Sequence, residues 1–225
     1  MGVHLIVQYY KDEKRQEEID KVLAININNP EIDFIHLLQE NSDTPSVRLN
    51  SKVIITVIEN RLTWKMCLHY VRTFIPNDEI VIIANADIAF DSSIEIVKRE
   101  NLKGKVFSLL RYEILPNKQL ELFGTDRSHP LYHPSILHGG SQDSWIFETP
   151  LPEITESTDF CMGVNLCDSK INWVFSQAGL KVSNPCLSIR TIHYHKSTTR
   201  NRSSYELPPP YVTPSPYSLS LAPYL

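Results

Sequence analysis

Glu79-Ile80-Val81-Ile82-Ile83-Ala84-Asn85-Ala86-Asp87-Ile88-Ala89-Phe90-Asp91 is the most apolar segment of the chain. A run of this kind reads as a central strand covered on both faces, because a strand with one wet face would alternate. Its polar groups stand only toward the C-terminal end, where Asn85 and Asp87 flank Ala86. In an open α/β sheet that end is where ligands sit.

Working outward, Val3 to Tyr10 is a shorter apolar run that ends in Gln8-Tyr9-Tyr10 and reads as the first strand. Lys11 to Ile27 is dense in charge, and Ile19, Val22, Leu23 and Ile27 recur at helical spacing. Asn28-Asn29-Pro30 stops that helix. Strands are expected at Ile32–Gln39 and Val53–Ile58, then a helix from Leu62 to Ile75 with Leu62, Met66, Tyr70 and Phe74 on its inner face. Downstream, Ser92-Ser93 caps a short helix, Ile94 to Glu100, and Val106 to Ile114 is a strand. Residues 116–141 carry His129, His133, His138 and Gly139-Gly140 and read as a long surface excursion. Gln142 to Glu148 is a further strand. Asp168 to Ala178 is a helix closed by Gly179, and Leu187 to His195 is a last strand or extended segment.

The alternation of strand and helix predicts one α/β domain over residues 1–203, with a mostly parallel central sheet flanked by helices. Residues 204–225 differ in kind: Pro208-Pro209-Pro210, Pro214, Pro216 and Pro223 are interleaved with Tyr and Ser, as in a linker or tail. With 225 residues, 42% hydrophobic and 21% charged, the chain can bury a sizeable core. A net charge of −4 supplies no basic stripe, so nucleic acid is not an expected partner. Cys67, Cys161, Cys167 and Cys186 form no C-x-x-C pair and read as small buried residues of a reducing compartment. No apolar run is long enough for a membrane helix, and the N-terminus lacks the charged and apolar regions of a signal peptide; a cytoplasmic protein is expected.

The residues with chemistry to offer each carry a bland alternative. Asp87 at a strand end can hold a hard divalent cation beside a diphosphate, or it can close a turn with Asn85. Asp168 at a helix start can cap the helix, or it can take the proton of an acceptor hydroxyl. Asp143 in Gln142-Asp143-Ser144-Trp145 can bind sugar hydroxyls beside an aromatic ring, act as the base, or cap a turn. His193 and His195 flank Tyr194, so on a strand both imidazoles share a face; one can complete a metal site, or both can be ordinary surface or core residues.

In order and spacing this set resembles the GT-A family of nucleotide-sugar glycosyltransferases, over about residues 3 to 202. Asn85-Ala86-Asp87 is similar to the D-x-D motif that closes the family's central strand, with Asn in the first place. The resemblance implies a Rossmann-like nucleotide-binding half and a UDP-sugar donor. Gln8, Tyr9, Tyr10 and Arg61 would hold the nucleotide, with Asn85 and Ala86 beside it and Tyr9 against the uracil. Asp87 with His195 or His193 would hold Mn²⁺ or Mg²⁺ on the diphosphate. Gly163 followed by Asp168 resembles the arrangement of the catalytic base in inverting members, and Asp143 is the second candidate. The acceptor would be a hydroxyl of a glycan or glycoprotein. Within the family the chain resembles the N-terminal domains of capsid-glycan glycosyltransferases of large chlorella viruses, which implies work in host cytoplasm. Two rival classes use the same residue types: a metal-dependent phosphohydrolase with water as nucleophile, and a silent nucleotide-sugar-binding domain.

Overall fold

The computed structural model describes residues 1–40, 45–123, 141–194, 206–215 and 219. In chain order the elements are β1 (Val3–Tyr9), α1 (Gln16–Asn28), β2 (Phe34–Glu40), β3 (Val53–Ile58), α2 (Trp64–Phe74), β4 (Ile80–Ala84) and β5 (Ile88–Phe90). A 3-10 helix (Ser92–Lys98) follows, then β6 (Lys105–Ile114), β7 (Leu120–Leu122), β8 (Gln142–Glu148), α3 (Cys167–Gln177), β9 (Lys181–Ser183) and β10 (Thr191–His193).

The strands form one sheet in the order β3-β2-β1-β4-β8-β6-β10-β5, with β7 and β9 also paired to β6. β3, β2, β1 and β4 run parallel, whereas β8 is antiparallel to both β4 and β6. The long β6 is shared: its first half pairs β8 and β9, and its second half pairs β10 and β7 after a register shift between Leu109 and Leu110. The fold is therefore the expected one, an α/β domain with a mostly parallel sheet flanked by helices.

Each face of the sheet has its own core. Ile6, Leu38, Val81 and Ile83 pack on one side with Trp64, Cys67 and Val71 of α2 and Ile171, Val174 and Phe175 of α3. Leu5, Val7, Ile35, Leu37, Ile80 and Ile82 pack on the other with Ile19, Leu23 and Ile27 of α1 and Ile94 and Val97 of the 3-10 helix. Successive residues of a strand point to opposite faces, so a strand covered twice has no polar position, and all five residues of β4 are buried. Each such aliphatic side chain contributes about 1.5–3 kcal/mol on burial.

Several boundaries differ from the sequence expectation for identifiable reasons. The Glu79–Asp91 run is two strands: β4 stops at Ala84, and β5 lies at the far edge of the sheet, antiparallel to β10. α1 begins at Gln16 because residues 12–15 form a turn, closed by Arg15 N donating to Asp12 O at 3.0 Å. The inner face of α2 is Trp64, Cys67, Leu68, Tyr70 and Val71, while Phe74 is 59% exposed. Trp64 sets that rotation by packing edge-to-face on Trp145 of β8, ring centroids 4.6 Å apart. β7 and β9 are short and had no hydrophobic pattern of their own. The last strand is only Thr191–His193, since Ser188 and Ile189 both donate to Pro185 O in a turn that leaves Leu187 exposed. His129, His133 and His138 lie outside the described residues.

Of the Pro-rich end, the described residues 206–215 lie against the domain. Leu207 is buried in the α2–α3 core, its N–H donating to Asn165 O, and Val212 N donates to Ser169 O at 3.1 Å. Among the described residues no helix is long and apolar enough to cross a membrane.

Candidate active site

From β1 the chain steps to β2 and β3 on one side, and β4 flanks β1 on the other. The carboxyl ends of β1 and β4 therefore open a crevice at the point where strand order reverses, the usual ligand position in such sheets. Tyr10 follows β1 there, and Asn85-Ala86-Asp87 follows β4.

β4 ends in a turn in which Ile88 N donates to Asn85 O at 3.2 Å, while Asn85 still bonds β8. Its N–H donates to Asp143 O at 3.0 Å and its side-chain amide donates to Asp143 Oδ1 at 2.7 Å. The carbonyl of Asp87 accepts from Tyr194 N at 2.9 Å, so this three-residue link is fastened at both ends.

Asp87 is the hub. Its Oδ2 accepts from Arg15 Nη2 at 2.5 Å and lies 3.2 Å from His193 Nε2. The other imidazole nitrogen, Nδ1, is 2.9 Å from Glu113 Oε2. Glu113 accepts from Arg111 Nε at 2.6 Å, and Arg111 Nη1 donates to Asp143 Oδ2 at 2.7 Å and to Ser141 Oγ at 2.5 Å. The chain Arg15–Asp87–His193–Glu113–Arg111–Asp143–Asn85 runs from one side of the β4 end back to the other. With His193 protonated, its charges alternate in sign throughout.

The ionisation of these groups follows from that alternation. Burial pushes Asp87 up, but the hydrogen bond and charge of His193 and the guanidinium of Arg15 hold it well below the usual carboxylate range. Burial likewise raises Glu113, and His193 with Arg111 brings it down to about 2. Burial lowers His193, yet the two carboxylates on either side carry it up to about 9.

Asp168 is of another kind. α3 starts one residue earlier than expected, at Cys167, after Leu166 in the left-handed conformation (φ 66°) with no side-chain cap. Asp168 thus stands in the first turn, its Oδ1 accepting from Ser169 N at 2.9 Å and its Oδ2 from Gln142 N at 3.2 Å. Burial, with the Asp143 charge nearby, pushes it up to about 7 against those backbone hydrogen bonds. A carboxyl group poised there can exchange a proton near neutral pH. Asp143 is held differently, its two oxygens accepting from the side chains of Asn85 and Arg111.

The nucleotide candidates separate. Tyr9 is buried against α1, its hydroxyl donating to Asp20 Oδ1 at 2.7 Å and accepting from Gln16 Nε2 at 2.9 Å, so its ring is not presented to the crevice. Tyr10 is half-buried, and its phenol feels Arg15, Asp87, Asp12 and Arg61. Gln8 donates its side-chain amide to Glu40 Oε1, and Ala86 is half-buried against the α1-side core. Arg61 is exposed and donates to Met162 O at 2.8 Å, which ties the end of β3 to the loop before α3. A Cβ on Gly163, itself at φ +75°, would stand 3.2 Å from the Arg61 guanidinium. His195 lies outside the described residues, so of the two histidines only His193 is placed.

Asp87 offers a carboxylate oxygen that suits Mn²⁺ or Mg²⁺, and His193 Nε2, which faces it, could join as a ligand only after giving up its proton. The space between them is bridged by the imidazole proton and flanked by the Arg15 guanidinium. Among the described residues no group of three or more His, Cys, Asp and Glu side chains is arranged to hold a metal ion, so a cation here would complete its shell from a bound ligand.

Sequence reading passed over Arg15, Arg111 and Glu113. Arg15 was absorbed into the charged helix. Arg111 and Glu113 carried a usable signal: charges two apart in an apolar strand share a face, and a buried charge demands a partner.

No family model matches the chain, and no curated protein matches it. Solved structures do. A 4-diphosphocytidyl-2C-methyl-D-erythritol synthase from Anaerococcus prevotii is 13% identical with a TM-score of 0.43, over 81% of this chain and 86% of that one. A 2-C-methyl-D-erythritol 4-phosphate cytidylyltransferase from Francisella tularensis is 13% identical with a TM-score of 0.39, over 54% of this chain and 65% of that one. A glucose-1-phosphate thymidylyltransferase from Bacillus anthracis is 11% identical with a TM-score of 0.48, over 81% and 87%.

Proposed function

We propose that the chain is a nucleotide-sugar-dependent glycosyltransferase that acts with inversion on a glycan or glycoprotein hydroxyl. The observation that carries this reading is the meeting of Asp87, His193 and Arg15 at the carboxyl end of β4, beside the reversal of strand order. A cluster of that chemistry suits a diphosphate, whose oxygens would draw Arg15 away from Asp87 and leave that carboxylate to a divalent metal.

In this reading the base of a UDP-sugar packs on Tyr10. Arg61 and Arg15 reach the diphosphate, and Gln8, Asn85 and Ala86 shape the floor. Asp87, with His193 in its neutral form, would hold Mn²⁺ or Mg²⁺, which when bound would offset charge on the departing diphosphate. Asp168 Oδ takes the acceptor hydroxyl proton as the acceptor oxygen bonds to the anomeric carbon. The bond from that carbon to the diphosphate breaks, and UDP leaves from the opposite face. The narrower resemblance to viral transferases makes the acceptor a capsid glycan in host cytoplasm.

The test is a melting panel of nucleotide sugars with and without Mn²⁺, followed by UDP release with glycan acceptors. A ligand that favours the folded state raises the melting temperature. Metal-dependent stabilisation by a UDP-sugar and acceptor-dependent UDP release are expected. Turnover of plain phosphate esters, or of nucleoside triphosphates with sugar phosphates, in place of UDP-sugars would replace the reading.

A further inference from the structure

The sheet has two outer strands, and the chain treats them differently. β5 is covered: Asn26 of α1 donates to Ile88 O at 3.0 Å and accepts from Phe90 N at 3.1 Å, and Asn29 donates to Phe90 O at 3.0 Å. Those amides satisfy backbone groups that a further strand would otherwise take. β3, at the other end of the order, pairs among the described residues only with β2.

The phase of β3 is fixed by Ile35 N, which donates to Lys52 O at 2.7 Å. In a parallel ladder alternate residues then turn their backbones to β2, here Ile54 and Thr56, while Val53, Ile55 and Val57 turn theirs outward. Of the outward groups, Val53 N–H is used by Asn50 O. The sequence Val-Ile-Ile-Thr-Val-Ile has no proline and no charge, and Ile54, Ile55 and Val57 are 42%, 42% and 58% exposed. Protective devices usual on free edges are lysines, prolines and bulges, and β3 has none.

We propose that β3 pairs antiparallel with β3 of a second copy of this chain, about a two-fold axis through Ile55. An axis normal to the sheet preserves its faces, so each residue meets one of the same parity, and Ile55 meets Ile55. The two Ile55 residues exchange both backbone hydrogen bonds, and Val57 N–H of each copy donates to Val53 C=O of the other. The ends favour this direction: Lys52 precedes the strand and Glu59 follows it. Antiparallel pairing brings each copy's lysine end beside the other's glutamate end, whereas parallel pairing would set like charges together. Phe74, 59% exposed, packs on Tyr70, whose hydroxyl lies 3.3 Å from Thr56 Oγ1 of β3. One strand pair is a small interface, so dissociation in the micromolar range is expected.

The register gives the test. In a hydrogen-bonded antiparallel pair the Cα atoms are about 5.5 Å apart, within reach of a disulfide. Ile55→Cys is therefore expected to form a covalent dimer under mild oxidation, while Ile54→Cys, opposite Thr56, and the parent chain with its own thiols are not. Sedimentation equilibrium of the full chain at tens of micromolar should show twice the chain mass, and Val57→Lys should return it to one chain. Circular dichroism checks that the exposed substitution leaves the fold intact. A parent chain monomeric at that concentration, a Val57→Lys dimer, or equal cross-linking of the Ile54→Cys and Ile55→Cys variants would overturn the proposal.

Discussion

His193 Nε2 stands 3.2 Å from Asp87 Oδ2, across 106 residues of sequence, and its other nitrogen is 2.9 Å from Glu113. One imidazole therefore joins the strand end that carries the acidic hub to the strand that carries its counter-charges.

Asp87→Asn should cost at least tenfold in metal-dependent UDP affinity, measured by calorimetry with and without Mn²⁺. Unchanged affinity would remove Asp87 from the ligand set.

Asp168→Asn should lower turnover by about 10²–10⁴-fold while UDP binding stays within about twofold, the signature of a lost proton acceptor. The base works ionised, and burial sets Asp168 at about 7. In the parent enzyme kcat/KM should therefore rise with pH through that value and level off above it. A flat profile from pH 5.5 to 8 would argue against the assignment.

Arg111→Met should unfold the domain more easily, by on the order of 3–5 kcal/mol, because Glu113 and Asp143 would lose their buried counter-charge. Urea titration reads this directly, and a loss under about 1 kcal/mol would show that solvent reaches the pair.

His36 governs an acid-side loss of stability. Burial, with His4 beside it, lowers its pKa to about 4, while the unfolded chain titrates at the ordinary value near 6.5. Below that ordinary value the unfolded state binds a proton that the folded state refuses. Stability from neutral His36 is thus full above pH 6.5 and falls by roughly 1.4 kcal/mol per pH unit down to about 4. Between pH 7.5 and 5 the parent chain should lose about 2 kcal/mol more than His36→Gln in urea midpoint experiments.

What the sequence made legible follows from which signals are local. The doubly covered β4 and the flanking helices were readable because burial on both faces leaves a continuous apolar run. That the run was two strands was not, since Ala84 and Ile88 look alike in hydrophobicity and only Asp143 and Tyr194, far along the chain, show where it is fastened. Tyr9 was the expected neighbour of the uracil, but α1 holds its hydroxyl through Asp20 and Gln16, and it is Tyr10 that stands beside Arg15 and Asp87. Arg15 was hidden because a charge before a helix is common, and its partner is remote.

Asn85 is anchored to β8, and Asp87 to the residue after β10, so this short link takes its final form only when both strands are in place. Among the described residues β10 is the last strand of the sheet. On an emerging polypeptide the acidic hub is thus completed late, after nearly the whole domain has left the ribosome. Nascent chains stopped short of Thr191 would carry Asp87 without His193, its carboxylate met by Arg15 alone.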